Sequence, residues 1–170
     1  DLDKKILEKL HLPERSPSLK KLEELLLKIK THRKKQIEIA IVGKYFGTGD
    51  YQLRDSYAAL FDAIDHACWE LGANVKTRWI DAEKVEKQGD GIIGLPNGII
   101  VPIGWGERGT EGMIKAASYA RLKKIPYLGL CYGMQLAVVA FARDVLGFKA
   151  ANSTENDPKT KYPVIHLMPK

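Results

Sequence analysis

Two cysteines in 170 residues, Cys68 and Cys131, are too few to staple a fold of this size with disulfides. Stability must come from a hydrophobic core, and 45% hydrophobic positions suffice to build one. No apolar run approaches the ~18 residues of a membrane span, and the N-terminal "DLDKKILEKL" is too charged for a signal peptide. These absences predict a cytoplasmic protein with a single domain, free thiols and no membrane contact. Charge of one sign is also scarce once the N-terminus is set aside. Residues 1–36 carry eleven Lys/Arg against six Asp/Glu, and residues 37–170 carry sixteen against fifteen. The near-neutral remainder has only 8% aromatics in the whole chain to interleave with its basic residues, so no nucleic-acid partner is expected. No metal is expected either.

What is present divides into two parts. Residues 1–36 read as a linker with helical segments: a turn around Pro13 and Pro17, then Leu19, Leu22, Leu25, Leu26 and Ile29 at helical spacing, with Ser16 or Ser18 as N-cap. From Gln36 onward, strands and helices alternate. "IEIAIVGK" at 37–44 reads as a buried strand, and Tyr57, Leu60, Phe61, Ile64, Cys68 and Leu71 form a helical stripe ending at Gly72. Cys68 lies on that stripe and is most simply a core residue. "VKTRWIDA", "NGIIVPIGWG" and "IPYLGL" supply three more strands, with helices over 111–122 and through "YGMQLAVVAFARDVLG". Strands separated by helices imply an α/β fold with a parallel sheet covered on both faces. Ligands in such folds bind beyond the carboxyl ends of the strands, which selects the loops at 103–112 and 130–134.

The second loop holds "GLCYG", which fits Gly-x-nucleophile-x-Gly at a strand-to-helix turn. Such a turn forces the middle side chain outward, and the start of the helix presents the positive end of its dipole to the sulfur, favouring thiolate. The amide of Tyr132 would face an oxyanion formed on attack. The spacing alone leaves a buried, inert cysteine equally open. The first loop, "GWGERGTEG", has glycines and Arg108 that suit an anion but no Walker pattern, so a simple flexible turn is the alternative.

"GLCYGMQLAVVAFARDVLG", then "ANSTE", then "PVIHLMP", preceded by "IVGKY", "WIDAE" and "ERGTEG", resembles the class I glutamine amidotransferase domain of the CTP synthase family over most of residues 37–170. The resemblance implies a parallel-sheet, flavodoxin-like fold, the C-terminal part of which is expected to be missing, with residues 1–36 joining it to a synthetase domain. It implies that Cys131 attacks the side-chain amide of L-glutamine and forms a glutamyl thioester. Ammonia would pass to the synthetase domain for ATP-dependent amination of UTP to CTP. It assigns the oxyanion-hole amides to Gly104 and Tyr132, and glutamine binding to Trp105, Gln135 and Glu155. Arg108 and Lys44 would fall in a lid or activator region that responds to GTP. No cofactor is implied for this domain; ATP, UTP and Mg belong to the synthetase domain, and a homotetramer is implied for the full-length family member.

Two departures stand beside the resemblance. The family's general base is a histidine followed two residues later by glutamate, and none of His11, His32, His66 or His166 fits. A non-catalytic binding or assembly module of the same fold is therefore the alternative reading. Ile103 replaces the family's first glycine in Pro-Gly-Gly, and a β-branched residue would be strained if that position needs a positive φ. The loop at 45–53 also reads as longer than the family's.

Overall fold

A computed structural model of the chain describes residues 2–13, 18–31, 35–48, 51–52 and 54–168. They divide into two compact units, Asp1–Arg33 and Lys34–Lys170. Ser16, Pro17, His32 and part of the 45–53 loop lie outside the described residues. The first unit holds helices α1 (Leu2–Lys9) and α2 (Lys20–Lys30), neither with a buried residue. The N-cap of α2 is Leu19, with no side-chain hydrogen bond, rather than Ser18. Its leucine stripe instead leaves Leu19, Leu22 and Leu26 more than half exposed.

The second unit is an α/β fold. Strands β1 (Lys35–Gly43), β4 (Ala73–Asp81), β5 (Gly98–Val101) and β6 (Tyr127–Gly129) form one sheet in the order β4-β1-β5-β6. Every pairing in it is parallel. A two-stranded antiparallel pair, β2 (Gly47–Thr48) and β3 (Tyr51–Gln52), follows β1, and a small parallel pair, β7 (Ala151–Ser153) and β8 (Tyr162–Ile165), follows the last helix. Helices α3 (Ala58–Glu70), α4 (Ala82–Gln88), α5 (Thr110–Lys123) and α6 (Tyr132–Asp144) complete it. Three of these features, the β2–β3 pair, α4 and the β7–β8 pair, were not expected from the sequence.

Strand periodicity sorts the core into two layers. Ala40, Val42, Ile99 and Val101 pack with α4, α5 and α6 on one face, while Ile41 and Ile100 pack with Phe61, Ile64 and Cys68 of α3 on the other. Both faces are covered, so the central strands can be apolar throughout. Cys68 is 5% exposed within the α3 layer. Cys68→Ser is expected to cost about 1–3 kcal/mol by placing a hydroxyl there, read as a lower urea midpoint, and to leave the chemistry at Cys131 unchanged. Leu71, expected on the same stripe, is 80% exposed because α3 has ended and it serves as the C-cap before Gly72.

The strand order fixes where a ligand can sit. The chain runs from β1 outward to β4, then crosses back to β5 on the other side of β1. That reversal opens a crevice between the carboxyl ends of β1 and β5. Lys44 follows β1 directly and Pro102–Gly106 follow β5, so both border the crevice.

Candidate active site

The turn from β6 into α6 is built by two glycines that no other residue could replace. A Cβ on Gly133 would lie 2.0 Å from the Val101 carbonyl oxygen, and one on Gly129 would lie 2.6 Å from the backbone of Gly133 and Met134. Strand, turn and helix therefore touch backbone to backbone. Between the glycines, Cys131 takes φ 51° and ψ −103° as the N-cap of α6, a conformation that costs roughly 1–3 kcal/mol for a residue with a Cβ. The consequence is an exposed thiol at a helix N-terminus. The sequence left packing and chemistry open for this cysteine; its exposure shows that it is not a core residue.

Gln135 stands one helical turn beyond Cys131. With Ser153, Glu155 and His166 it lines a pocket of about 370 Å³. The exposed Glu155 comes from the turn after β7, and its Oε1 accepts a hydrogen bond from the Gly106 amide at 3.0 Å. A carboxylate has further lone pairs, so this bond leaves it able to receive a cation. His166 is not followed two residues on by glutamate, as the sequence showed. It sits in the pocket wall with Nδ1 2.7 Å from the Leu167 carbonyl oxygen, whereas His66 rests on Trp69 of α3.

Hydrogen bonds hold the loop after β5 at several points. Tyr57 Oη donates to the Ile103 carbonyl at 3.2 Å, and the Trp105 amide donates to Tyr45 Oη at 3.2 Å. Burial pushes the Tyr57 phenol up to about 12, so it remains a donor. Arg108 binds the Glu83 carboxylate at 2.9 Å and the Lys44 carbonyl at 3.1 Å. These bonds make the segment a pinned loop rather than a flexible turn. Ile103 is 40% exposed and its φ is not positive, so the strain considered for this position does not arise. Gly104 is buried against the Tyr132 ring and the Lys44 stem, while Trp105 is 65% exposed.

Lys44, assigned by resemblance to an activator region, is 3% exposed. Its Nζ donates to the Trp105 carbonyl at 2.8 Å, to the Gly106 carbonyl, and to Thr110 Oγ1 at 3.3 Å. It also lies 4.7 Å from the centre of the Tyr132 ring. Burial lowers its pKa, and the Glu155 carboxylate opposes that shift. The ammonium thus faces inward. Nothing in the sequence marked this lysine for burial, nor the Tyr132 hydroxyl, which reaches Thr110 Oγ1 and Asn156 Oδ1, each at 2.8 Å.

Among the described residues there is no cluster of His, Cys, Asp or Glu suited to a metal, and no helix long and apolar enough to cross a membrane.

The chain is similar to known proteins in both sequence and fold. The sequence profile of the family "Glutamine amidotransferase class-I" matches residues 52–166. The CTP synthase of Thermococcus gammatolerans is 49% identical over 97% of this chain, and that of Pyrococcus furiosus 48% identical over 99%. The chain spans 30% of the length of each. Among solved structures, the glutaminase domain of Trypanosoma brucei CTPS with bound acivicin superimposes with a TM-score of 0.68 at 32% identity, covering 78% of this chain and 50% of that one. Profile, relatives and fold agree: the chain belongs to the class I glutamine amidotransferases.

Proposed function

We propose that residues 37–170 form the glutaminase domain of a CTP synthase, with residues 1–36 as the linker to its synthetase domain. The observation that carries this reading is the exposed, strained Cys131 at the head of α6, one helical turn before Gln135, which lines a pocket with Glu155. Glutamine would enter with its α-ammonium on the Glu155 carboxylate, a charge-assisted pair, and its other polar end near Gln135. Trp105 would cover the substrate's methylenes. Cys131 Sγ attacks the side-chain carbonyl carbon, and the oxygen takes the negative charge under the amides of Gly104 and Tyr132. Collapse breaks the carbon–nitrogen bond, the thiol proton ends on the departing ammonia, and a glutamyl thioester remains. Water then cleaves the thioester to glutamate. Ammonia would serve the amination of UTP to CTP in the synthetase domain, where ATP, UTP and Mg would bind, with GTP as activator.

The test is release of glutamate and ammonia from glutamine by the intact polypeptide, compared with Glu155→Ala. Loss of a charge-assisted partner should raise KM roughly ten- to a hundredfold, with a smaller fall in kcat because the Gly106 amide loses its acceptor too. An unchanged KM would remove Glu155 from the substrate site and contradict this placement of the substrate's ammonium.

A further inference from the structure

Tyr132 plays two parts that are separated in space. Its backbone follows Cys131 and begins α6, while its side chain, 1% exposed, runs back beneath the loop after β5. There the hydroxyl lies 3.0 Å from the Gly106 carbonyl oxygen, in addition to its contacts with Thr110 and Asn156. Burial raises the phenol's pKa, which keeps its proton in place for this network. A Cβ on Gly104 would be 3.3 Å from the ring. One residue therefore supplies a first oxyanion amide and supports the segment that supplies the second.

Lys44 completes the support from the other side. The peptide between Trp105 and Gly106 is trans, so its carbonyl and its N–H point in opposite directions. The carbonyl accepts from Lys44 Nζ at 2.8 Å, and the N–H donates to Glu155 Oε1 at 3.0 Å. A single peptide unit is held between a buried cation and the carboxylate that would bind the substrate's ammonium. Its orientation cannot change without breaking both bonds. Thr110, within 3.3 Å of Lys44 Nζ and 2.9 Å of the Gly106 carbonyl, ties the start of α5 into the same arrangement.

We propose that Lys44 and the Tyr132 hydroxyl are positioning residues for glutamine hydrolysis: they fix the Trp105–Gly106 peptide, and through it the Gly104 amide and the Glu155 carboxylate. Neither side chain touches substrate. The inference rests on the reading of Cys131 as a glutaminase nucleophile and goes beyond it by giving two buried side chains a part in the reaction.

Tyr132→Phe and Lys44→Met test it in the intact polypeptide. The first removes one oxygen and keeps the ring and amide; the second keeps the stem and removes the charge. Displacement of an oxyanion donor or an ammonium partner by a fraction of an ångström should lower kcat/KM about tenfold or more in each variant. The loss should fall mainly on kcat for Tyr132→Phe and more on KM for Lys44→Met, which acts through Glu155. Alkylation of Cys131 by iodoacetamide forms no oxyanion and binds no ammonium, so its rate should stay within about twofold of wild type. Unchanged kcat/KM in Tyr132→Phe would overturn the proposal, as would an equal fall in alkylation and hydrolysis, which would mark a merely structural role. Should Lys44→Met fail to fold, Tyr132→Phe alone decides. Absence of glutamine hydrolysis in the wild-type protein would instead overturn the glutaminase reading, and this inference with it.

Discussion

Cys131→Ser is expected to lower glutamine hydrolysis by on the order of 10⁴-fold or more, the scale on which removal of an enzyme's nucleophile acts. The substitution is nearly isosteric, but the hydroxyl is far less ionised than a thiol and the site evolved around sulfur. Stability should change little. The Cys131 side chain is exposed, so no packing is lost, and serine inherits the same backbone at φ 51° and ψ −103° with the same strain. Under the proposed function, CTP formation from free ammonia should survive in the protein that carries the synthetase domain, because ammonia supplied from solution bypasses the thiol. Parallel assays with glutamine and with an ammonium salt check this. Loss of both activities would show that the serine damaged the fold or the coupling between domains, and retention of glutamine hydrolysis would remove Cys131 from the chemistry.

Gly133→Ala should be strongly destabilising. Its Cβ would lie 2.0 Å from the Val101 carbonyl oxygen and 2.7 Å from the carbonyl carbon, and both obstacles are backbone atoms of the central sheet. No rotamer change relieves a clash between backbones, so β5 or α6 must shift. We expect a loss of at least ~3 kcal/mol, near the upper range for overpacking, or a fall in Tm of roughly 10 °C for a unit of this size. Activity should fall with it, since the shift moves the Tyr132 amide relative to Cys131. Gly91→Ala provides the control: nothing lies within 4 Å of its added Cβ and its φ is not positive, so it should be close to neutral. Thermal unfolding of the two variants side by side separates a clash at the elbow from a general cost of losing glycine.

The sheet strands and the helices α3, α5 and α6 were legible because each carries its own signal, an apolar run or a stripe bounded by glycine. "GLCYG" was legible because backbone crowding leaves glycine as its mark on the sequence. Other elements leave weaker marks. The seven residues of α4 are rich in Lys and Glu and have no stripe; the clue was Asp81, whose Oδ1 caps the Glu83 amide at 2.8 Å. The β7–β8 pair consists of short segments containing Asn, Ser and Pro, which pattern alone reads as loop. The inward turn of Lys44 belongs to a different category. Lysine is ordinarily solvated, and only the gathering of the Trp105 and Gly106 carbonyls, residues more than sixty positions away, makes burial tolerable. Resemblance could align that lysine with a region but not say which way it points.

The most direct test of the account is the intact mass of the protein after exposure to a chloroketone analogue of glutamine, with the adduct mapped by peptide. The account predicts one adduct, on Cys131, with Cys68 unmodified and with protection by excess glutamine. No adduct on Cys131, or one that glutamine does not slow, would contradict a glutamine-recognising nucleophile and favour a non-catalytic module of the same fold.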